Sequence, residues 1–460
     1  RGWGFKMSDT QTRLDEIAEL NPTRALKKGK MTSFVEMASL PTNSRDIENI
    51  AQKEFSGSGS KFKNGDILFA RITPCLENGK TAKVAGLQHD EIAHGSTEFI
   101  VLSAREPEFD EDYLYYFCRL SEFRNYAKSR MEGTSGRQRV SWQALAEFEF
   151  DFPDKEIRKK AADMLKIFDD KIQLNTQTNQ TLEAIAQAIF KSWFVDFDPV
   201  RAKAAALSEG KSEYEANLAA MSVICGKDTS ELNDTEYKAL WQIAEAFPSE
   251  LVENIEFGEV PKGWENTTLS EICSMQNGYA FKSNEWTGSG IPVIKIGSVK
   301  PMIVDIESNG FVSEENEHIR SDFLLKQGDI VVGLTGYVGE VGRIPAGDKA
   351  MLNQRVAKFV PKKLDHELSY YNFVYCLARQ RTFKEYAELN AKGSAQANIS
   401  TRELLNYPIC LASLEVHKFF EIKINELLYK ILTNSQESKV LEKTRDLLLP
   451  KLLSGGLSNE

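Results

Sequence analysis

The sequence has little of what builds metal sites, disulfide frameworks or catalytic centres. Its 460 residues include six cysteines and five histidines. Cys75, Cys118, Cys225, Cys273, Cys376 and Cys410 are scattered with no C-x-x-C pair, which reads as free thiols in a reducing cytoplasm. No histidine stands at ligand spacing from a cysteine, and His89 and His94 share a turn region without a third ligand, which argues against zinc. No apolar run reaches the ~18 residues of a membrane span, so no membrane partner is expected. No signal peptide opens the chain. The first residue is Arg1, so the numbering is expected to begin inside a longer frame, with Met7 as an alternative start.

Nucleotide and methyl-donor motifs are missing too. Glu77-Asn78-Gly79-Lys80-Thr81 supplies the Gly-Lys-Thr of a phosphate-binding loop, but Pro74 stands where that loop needs its first glycine. Gly336, Gly339 and Gly342 lie between strand patterns with no helix after them to receive a phosphate, so they read as hairpin turns. No Gly-rich methyl-donor loop and no Asn-Pro-Pro-aromatic or Asp-Pro-Pro-aromatic tetrapeptide occurs. Methyl transfer by this chain alone is not expected on that basis, and no catalytic or metal-ligating residue is assigned.

What is present is a duplicated pattern. From Asp154 to about Val195 the chain has no glycine and no proline, and apolar residues recur at steps of four and three. One frame fits: Ala161, Leu165, Phe168, Ile172, Asn175, Asn179, Leu182, Ala186, Ile189, Trp193. This is a heptad seam, and about 40 residues at roughly 1.5 Å each make a rod of about 60 Å. So narrow a seam needs a partner to cover it. The frame recurs 259 residues later as Phe420, Ile424, Leu427, Ile431, Asn434, Ser438, Leu441, Arg445, Leu448 and Leu452.

Antiparallel packing of the two helices would bring Asn175 to Asn434 and oppose Phe168 with Leu441, Leu182 with Leu427, Ile189 with Phe420 and Ala161 with Leu448. A buried asparagine pair costs stability and fixes register. Parallel pairing remains open, since the connector is long enough to run back along the rod.

The flanking segments repeat as well. Gly2-Trp3 followed by Leu14-Asp15-Glu16-Ile17 returns as Gly263-Trp264 followed by Leu269-Ser270-Glu271-Ile272. Lys63-x-Gly65-Asp66-Ile67 matches Lys326-x-Gly328-Asp329-Ile330, each beginning a pair of strands around turns. A further strand, an aromatic helix, a polar loop and a short strand follow in both halves. The polar loops are MEGTSGRQRVSWQAL from Met131 and NAKGSAQANISTREL from Asn390. Between the halves, the connector 198–262 holds 13 acidic and 6 basic residues, with helix-prone stretches and no clear core of its own. The tail from Ser454 is expected to be disordered. Scaffold kept and loops changed suggests two readers of different things on one frame.

The net charge of −10 is awkward for a nucleic-acid binder, but the connector contributes −7 of it, so local patches decide. Arg119, Arg124, Lys128, Arg130, Arg137 and Arg139 crowd one stretch against only Glu122 and Glu132. Arg137-Gln138-Arg139 sits in the first polar loop, where a guanidinium suits guanine O6/N7 and an amide suits adenine N6/N7. The matching loop offers Gln396 and Asn398 with Lys392 behind them. Asn353-Gln354-Arg355, and Thr335 with Tyr337, add polar reach. Arg71, Lys80 and Arg343, in or beside the duplicated strand pairs, complete the candidate DNA contacts. The competing reading of any one of these arginines is a solvated basic face.

With VPKGWENTTLSEI, the Lys-x-Gly-Asp-Ile strand pairs, FARITPCLENGKTA, the two polar loops and IFKSWFVDFDPVRAK in hand, the chain resembles the specificity (S) subunit of type I restriction–modification systems over essentially its whole length. The resemblance implies an α/β (α+β) fold with two globular target-recognition domains, each with a mixed or antiparallel sheet and helices. Two long helices in an antiparallel coiled coil would separate them, in an internal pseudo-twofold repeat. The expected divisions are 1–153 and 263–412 for the recognition domains, 154–197 and 413–460 for the helices, and 198–262 for the connector. In that family each domain reads half of a split, asymmetric DNA sequence, and the helices act as a spacer. The implied partners are double-stranded DNA, two methyltransferase (M) subunits carrying S-adenosylmethionine, and restriction (R) subunits using ATP and Mg, all cytoplasmic. No cofactor is expected on this chain itself. Trp193-Phe194-Val195-Asp196-Phe197 and Leu452-Leu453 are the candidate M-subunit contacts, the alternative being that they fold onto their own domain. The alternative is a two-headed protein–protein scaffold without DNA specificity, which the net acidity favours.

Overall fold

The two long helices of the sequence pattern are present as Lys155–Phe194 and Leu414–Leu453, 40 residues each. They are seen in a computed structural model that describes residues 11–47, 49–134, 136–306, 310–393 and 396–455. Gly2-Trp3, the alternative start Met7 and most of the tail lie outside the described residues. The chain forms two compact units, one of Arg1–Leu174 with Ser438–Glu460 and one of Asn175–Glu437. Each unit therefore contains part of both helices.

In the first unit, Gln11–Arg13 pairs antiparallel with Glu149–Asp151. An antiparallel sheet follows in the order Ala18–Leu20, Phe99–Ala104, Ile67–Ala70, Thr81–Lys83. A second sheet runs Ala51–Glu54, Met31–Val35, Ala93–Gly95, Ser60–Phe62, with its central pair parallel. Ile67–Ala70 is buried at every position, as a strand covered on both faces must be. Its residues Ile67 and Phe69 share one core with the helix Pro107–Phe117, whose rings Tyr113, Tyr115, Tyr116 and Phe117 are all fully buried.

The second unit repeats this plan. Glu265–Thr268 pairs with Pro408–Leu411, and a sheet runs Cys273–Asn277, Val356–Pro361, Ile330–Gly333, Val341–Arg343, with Met302–Ile303 added at the edge. Ile291–Ile294 and Ala350–Leu352 form the parallel centre of its second sheet. The turns agree down to single bonds. Lys63 N–H donates to the Asp66 carboxylate and Gly65 N–H to Val84 O; Lys326 donates to Asp329 and Gly328 to Ile344 O. Gly65 (φ 89°) and Gly328 (φ 82°) take the left-handed conformation that these turns require.

The helices pack antiparallel within each unit. In the second, Phe420 lies against Phe190, Trp193 and Phe194, while Asn434 donates its amide to Asn179 Oδ1 at 2.9 Å. Asn175 reaches Asn434 O at 3.4 Å and Glu437 Oε2 at 2.9 Å. Asn175 and Asn434 thus meet as expected, displaced by up to one turn from strict opposition. Helical side chains lean toward their own N-terminus. On antiparallel helices that sends Asn434 toward Asn179 and Asn175 toward Glu437. Phe420, Asn175 and Asn434 are buried, whereas Phe168, Leu182, Ile189, Leu427 and Leu441 line the seam half-buried.

Each unit ties its helix pair to a tyrosine of its aromatic helix, with different chemistry. Tyr116 donates to Asp169 (2.7 Å), which also accepts from Arg445. Tyr375 donates to Glu183 (2.9 Å), which accepts from Arg379. A half-satisfied buried charge would be costly, and each carboxylate carries at least two donors, Gln187 adding a third at Glu183.

The helix-prone stretches of the connector form the helices Asp198–Ser208, Glu213–Cys225 and Asp234–Ala246, which bury Val200, Ala220, Met221 and Ala244 in the second unit's core. Two expectations change. Trp193, Phe194 and Phe197 are buried there also, and Leu452 and Leu453 in the first unit, so they are not available to a partner. Arg343 is fully buried, donating to Leu428 O with its guanidinium 4.4 Å from the Tyr375 ring centroid, and is a structural cation rather than a DNA contact.

Two measurements check the packing. Phe420→Ala should cost about 3–5 kcal/mol in chemical denaturation, and half-buried Leu182→Ala clearly less. His417, fully buried among Phe194, Tyr370 and Phe373 with neither ring nitrogen hydrogen-bonded among the described residues, has its pKa pushed down to about 3 by burial. The unfolded chain takes up that proton near the ordinary value of 6.5 and the folded one does not. Stability therefore falls as pH drops below about 6.5, by up to about 1.4 kcal/mol per pH unit from this group. His417→Phe should unfold later than wild type at pH 5 and lose most of that advantage at pH 8.

Candidate nucleic-acid interface

The polar loops are built on one backbone plan. In the first unit Glu132 and Arg139 exchange backbone hydrogen bonds of 3.0 and 2.9 Å, which folds 131–140 back on itself. Thr73 N–H donates to Gln138 O and Val140 N–H to Arg71 O, both at 3.0 Å, so the loop is stitched to the turn after strand Ile67–Ala70. In the second unit Lys392 and Asn398 make the same exchange at 2.8 and 2.9 Å. Gly336 N–H donates to Ala397 O and Ile399 N–H to Leu334 O. Ser141 and Ser400 then cap the short helices that follow, each accepting at 3.1 Å from a backbone N–H three residues on.

Matching hydrogen bonds align positions: Arg71 with Leu334, Ile72 with Thr335, Glu132 with Lys392 and Arg139 with Asn398. Arg71 N–H donates to Glu98 O as Leu334 N–H does to Arg355 O, which pairs Glu98 with Arg355. The backbone is common and the side chains are exchanged for others of different charge and shape.

The candidate contacts separate accordingly. In the first unit Arg137 is exposed, Gln138 half-buried, and Arg130 exposed with its guanidinium 5.1 Å from the Tyr126 ring centroid. Arg139 grips both oxygens of Glu98 through Nε and Nη2, so its fork is already occupied. Glu98 was not among the sequence candidates; it lies in a strand pattern far along the chain from its partner. Lys80 is committed to the carbonyls of Met37 and Ala38, which removes it as a free cation. Within the basic run, Arg124 is an internal brace donating to Cys118 O, Gly79 O and Thr81, and burial pulls its pKa down to about 10. Arg119 donates to Thr42 O.

In the second unit Thr335 Oγ1 donates to Asn398 Oδ1 at 2.9 Å, leaving the Asn398 amide protons outward. Tyr337 is 65% exposed, and Gln354, Arg355, Lys392 and Gln396 are exposed around it. Asn353 turns inward to accept from the Arg355 backbone N–H. Ser394 and Ala395 of this loop lie outside the described residues. The surface thus offers amides, a phenol and two cations, where the first offers mainly guanidinium groups. Each set suits base edges and phosphates, and the two sets suit different ones.

Comparison with known proteins gives the same duplication. A family described as the type I restriction modification DNA specificity domain matches twice, at residues 8–184 and 261–445. The type I restriction enzyme HindI specificity subunit of Haemophilus influenzae is 35% identical over 425 residues, covering 89% of this chain and 90% of that protein. The MjaIX specificity subunit of Methanocaldococcus jannaschii is 26% identical over 356 residues, 76% of this chain and 69% of that one. A crystal structure of an S subunit from M. genitalium shares 17% identity, covers 98% of both chains and superposes with a TM-score of 0.48. Two copies of one domain, each presenting its own polar loop on a shared backbone plan, place this chain in the type I restriction–modification specificity-subunit family, whose role is recognition of a DNA target.

Proposed function

We propose that the two units read the two halves of a split, asymmetric DNA site, with the long helices setting the gap between the halves. The observation that carries this is the exchange of side chains on matched backbone: Arg139 over Asn398, Glu98 over Arg355, Glu132 over Lys392. Groups held at equivalent places but with different hydrogen-bonding faces select different bases. The first unit reads chiefly through Arg137 and Gln138, the second through Tyr337, Gln354, Gln396 and Asn398.

The chemistry belongs to partners. Two methyltransferase subunits would bring S-adenosylmethionine to adenines of the two half-sites, and restriction subunits would add ATP- and Mg-dependent cleavage, all in the cytoplasm. This chain supplies position. With the aromatic end buried, the docking surface for the methyltransferase subunits moves to the outer faces of the long helices. Ile167 and Leu174, Val440 and Leu447, and Ile422 and Tyr429 are large, exposed and seven residues apart, so each pair shares a helix face. Exposed apolar pairs at this spacing suit a helical or grooved partner surface.

Two outcomes test these assignments. In the assembled methyltransferase, Arg137→Ala with Gln138→Ala should relax base preference in one half-site only, by about 1–3 kcal/mol per lost base pair contact, while Gln396→Ala with Tyr337→Ala relaxes the other. Both changes acting on the same half would rule out the assignment. Ile422→Asp with Tyr429→Asp should lower the number of bound methyltransferase subunits, measured by light scattering, and leave the melting of the isolated chain within a few degrees of wild type. Full occupancy by the variant would remove these faces from the docking surface.

A further inference from the structure

Beside the first polar loop lies a cavity of about 400 Å³. Its walls include Thr23, Arg24, Ser60, Lys61, Arg71 and Thr97. No acidic residue stands among the described residues that line it. Three cations converge here, and their pairing differs. Arg24 is neutralised by Asp66 and donates to Lys61 O. Lys61 Nζ donates to Arg24 O at 3.0 Å and sits 5.4 Å from the Phe55 ring centroid, with no carboxylate among its described partners. The Arg71 guanidinium has no hydrogen bond or ion pair among the described residues, although its Nε is buried.

A desolvated guanidinium edge with no internal acceptor is unfavourable unless an acceptor comes from outside. Nor is Arg71 free to swing away with its loop. Its N–H donates to Glu98 O and its carbonyl accepts from Val140 N–H, both at 3.0 Å, so its backbone is fixed between the Glu98 that holds Arg139 and the loop that carries Arg137. The lining supplies positive charge and hydroxyl donors. The matching ligand is an anion that only accepts hydrogen bonds.

We propose that this cavity seats a phosphodiester of the duplex whose bases the adjoining loop reads, with Arg71 and Lys61 as its cations and Thr23 and Thr97 as hydroxyl donors, the Ser60 hydroxyl being spent on Phe99 O. The proposal rests on the DNA reading above and adds a sequence-independent anchor to one half of the site. The second unit has no counterpart at the same place. Leu334, aligned with Arg71, is buried at 5% exposure, and the cation is found instead at Arg355, aligned with Glu98. The two halves are therefore gripped through different phosphates relative to their loops.

The test uses the full chain assembled with its methyltransferase subunits and a labelled duplex bearing the target site. Wild type, Arg71→Gln, Lys61→Gln, the double variant and Arg71→Lys are titrated across salt concentrations. Each glutamine should make the slope of log affinity against log salt shallower by about 0.9, with base preference in both half-sites unchanged, and Arg71→Lys should keep the wild-type slope. A scan of single methylphosphonates along the duplex, which needs no protein variant, should find one phosphate beside the first half-site whose neutralisation weakens wild type but not the double variant. Unchanged slopes, or altered base preference in Arg71→Gln, would overturn the anchor while leaving the DNA reading intact. So would protection of Lys61 from amine labelling by free dAMP or inorganic phosphate but not by duplex, which would assign the cavity to a free ligand. Failure of wild type to bind any duplex would bring down the DNA reading itself, and the anchor with it.

Discussion

Asn434, whose side-chain amide donates to Asn179 Oδ1 and whose backbone carbonyl accepts from Asn175, fixes which residues of the two long helices can meet. A narrow heptad seam is apolar enough to demand a partner and uniform enough to slide. A polar layer removes that freedom, because a one-heptad shift would strand amides in a dry interface. Around it the same seam carries Phe420 and Ile424 into the core of the second unit, while Ala161 and Leu165 join Leu449 and Leu452 in the core of the first. The helices are thus part of each unit's hydrophobic core rather than a stalk attached to it. The tyrosine–carboxylate ties at Tyr116 and Tyr375 fasten each aromatic helix to this seam.

Legibility in the sequence followed the range of the forces involved. Helix periodicity and the Lys-x-Gly-Asp turns depend on neighbours within a few residues, so their recurrence in the second half exposed them. The polar asparagine layer was visible for the same reason, though its displacement by up to a turn required the lean of helical side chains. Exposure was not visible. Arg343 and Arg124 look like surface cations in sequence and are internal braces, because burial depends on strands far away in the chain. The aromatic run at Trp193 has the composition of a docking surface; the connector, which lacks an obvious core alone, closes over it with Val200 and Phe247. Glu98 was invisible as the partner of Arg139, since 41 residues separate them and nothing local couples them.

Function in this chain rests on divergence within a repeat. Duplicated backbone hydrogen bonds hold both loops in the same fold, and the side chains at matched positions differ in sign, shape and donor pattern. A structural requirement alone would leave those positions alike or indifferent. Pairing Arg139 with Glu98 on one side, and Asn398 with Thr335 on the other, preserves order in the loop while changing what faces outward. Rigid presentation matters here, because discrimination between base pairs depends on donors and acceptors held to within a fraction of an ångström. Membership of a family of DNA specificity subunits gives that divergence its purpose.

The most direct measurement is selection of duplexes from a fully random library by the chain assembled with its methyltransferase subunits, followed by sequencing of the bound pool. Two short sequences of different base content, separated by an unread gap of constant length, are the expected result. A single contiguous sequence, two identical halves, or a pool no different from the input would contradict the account of two unlike readers on one duplicated frame.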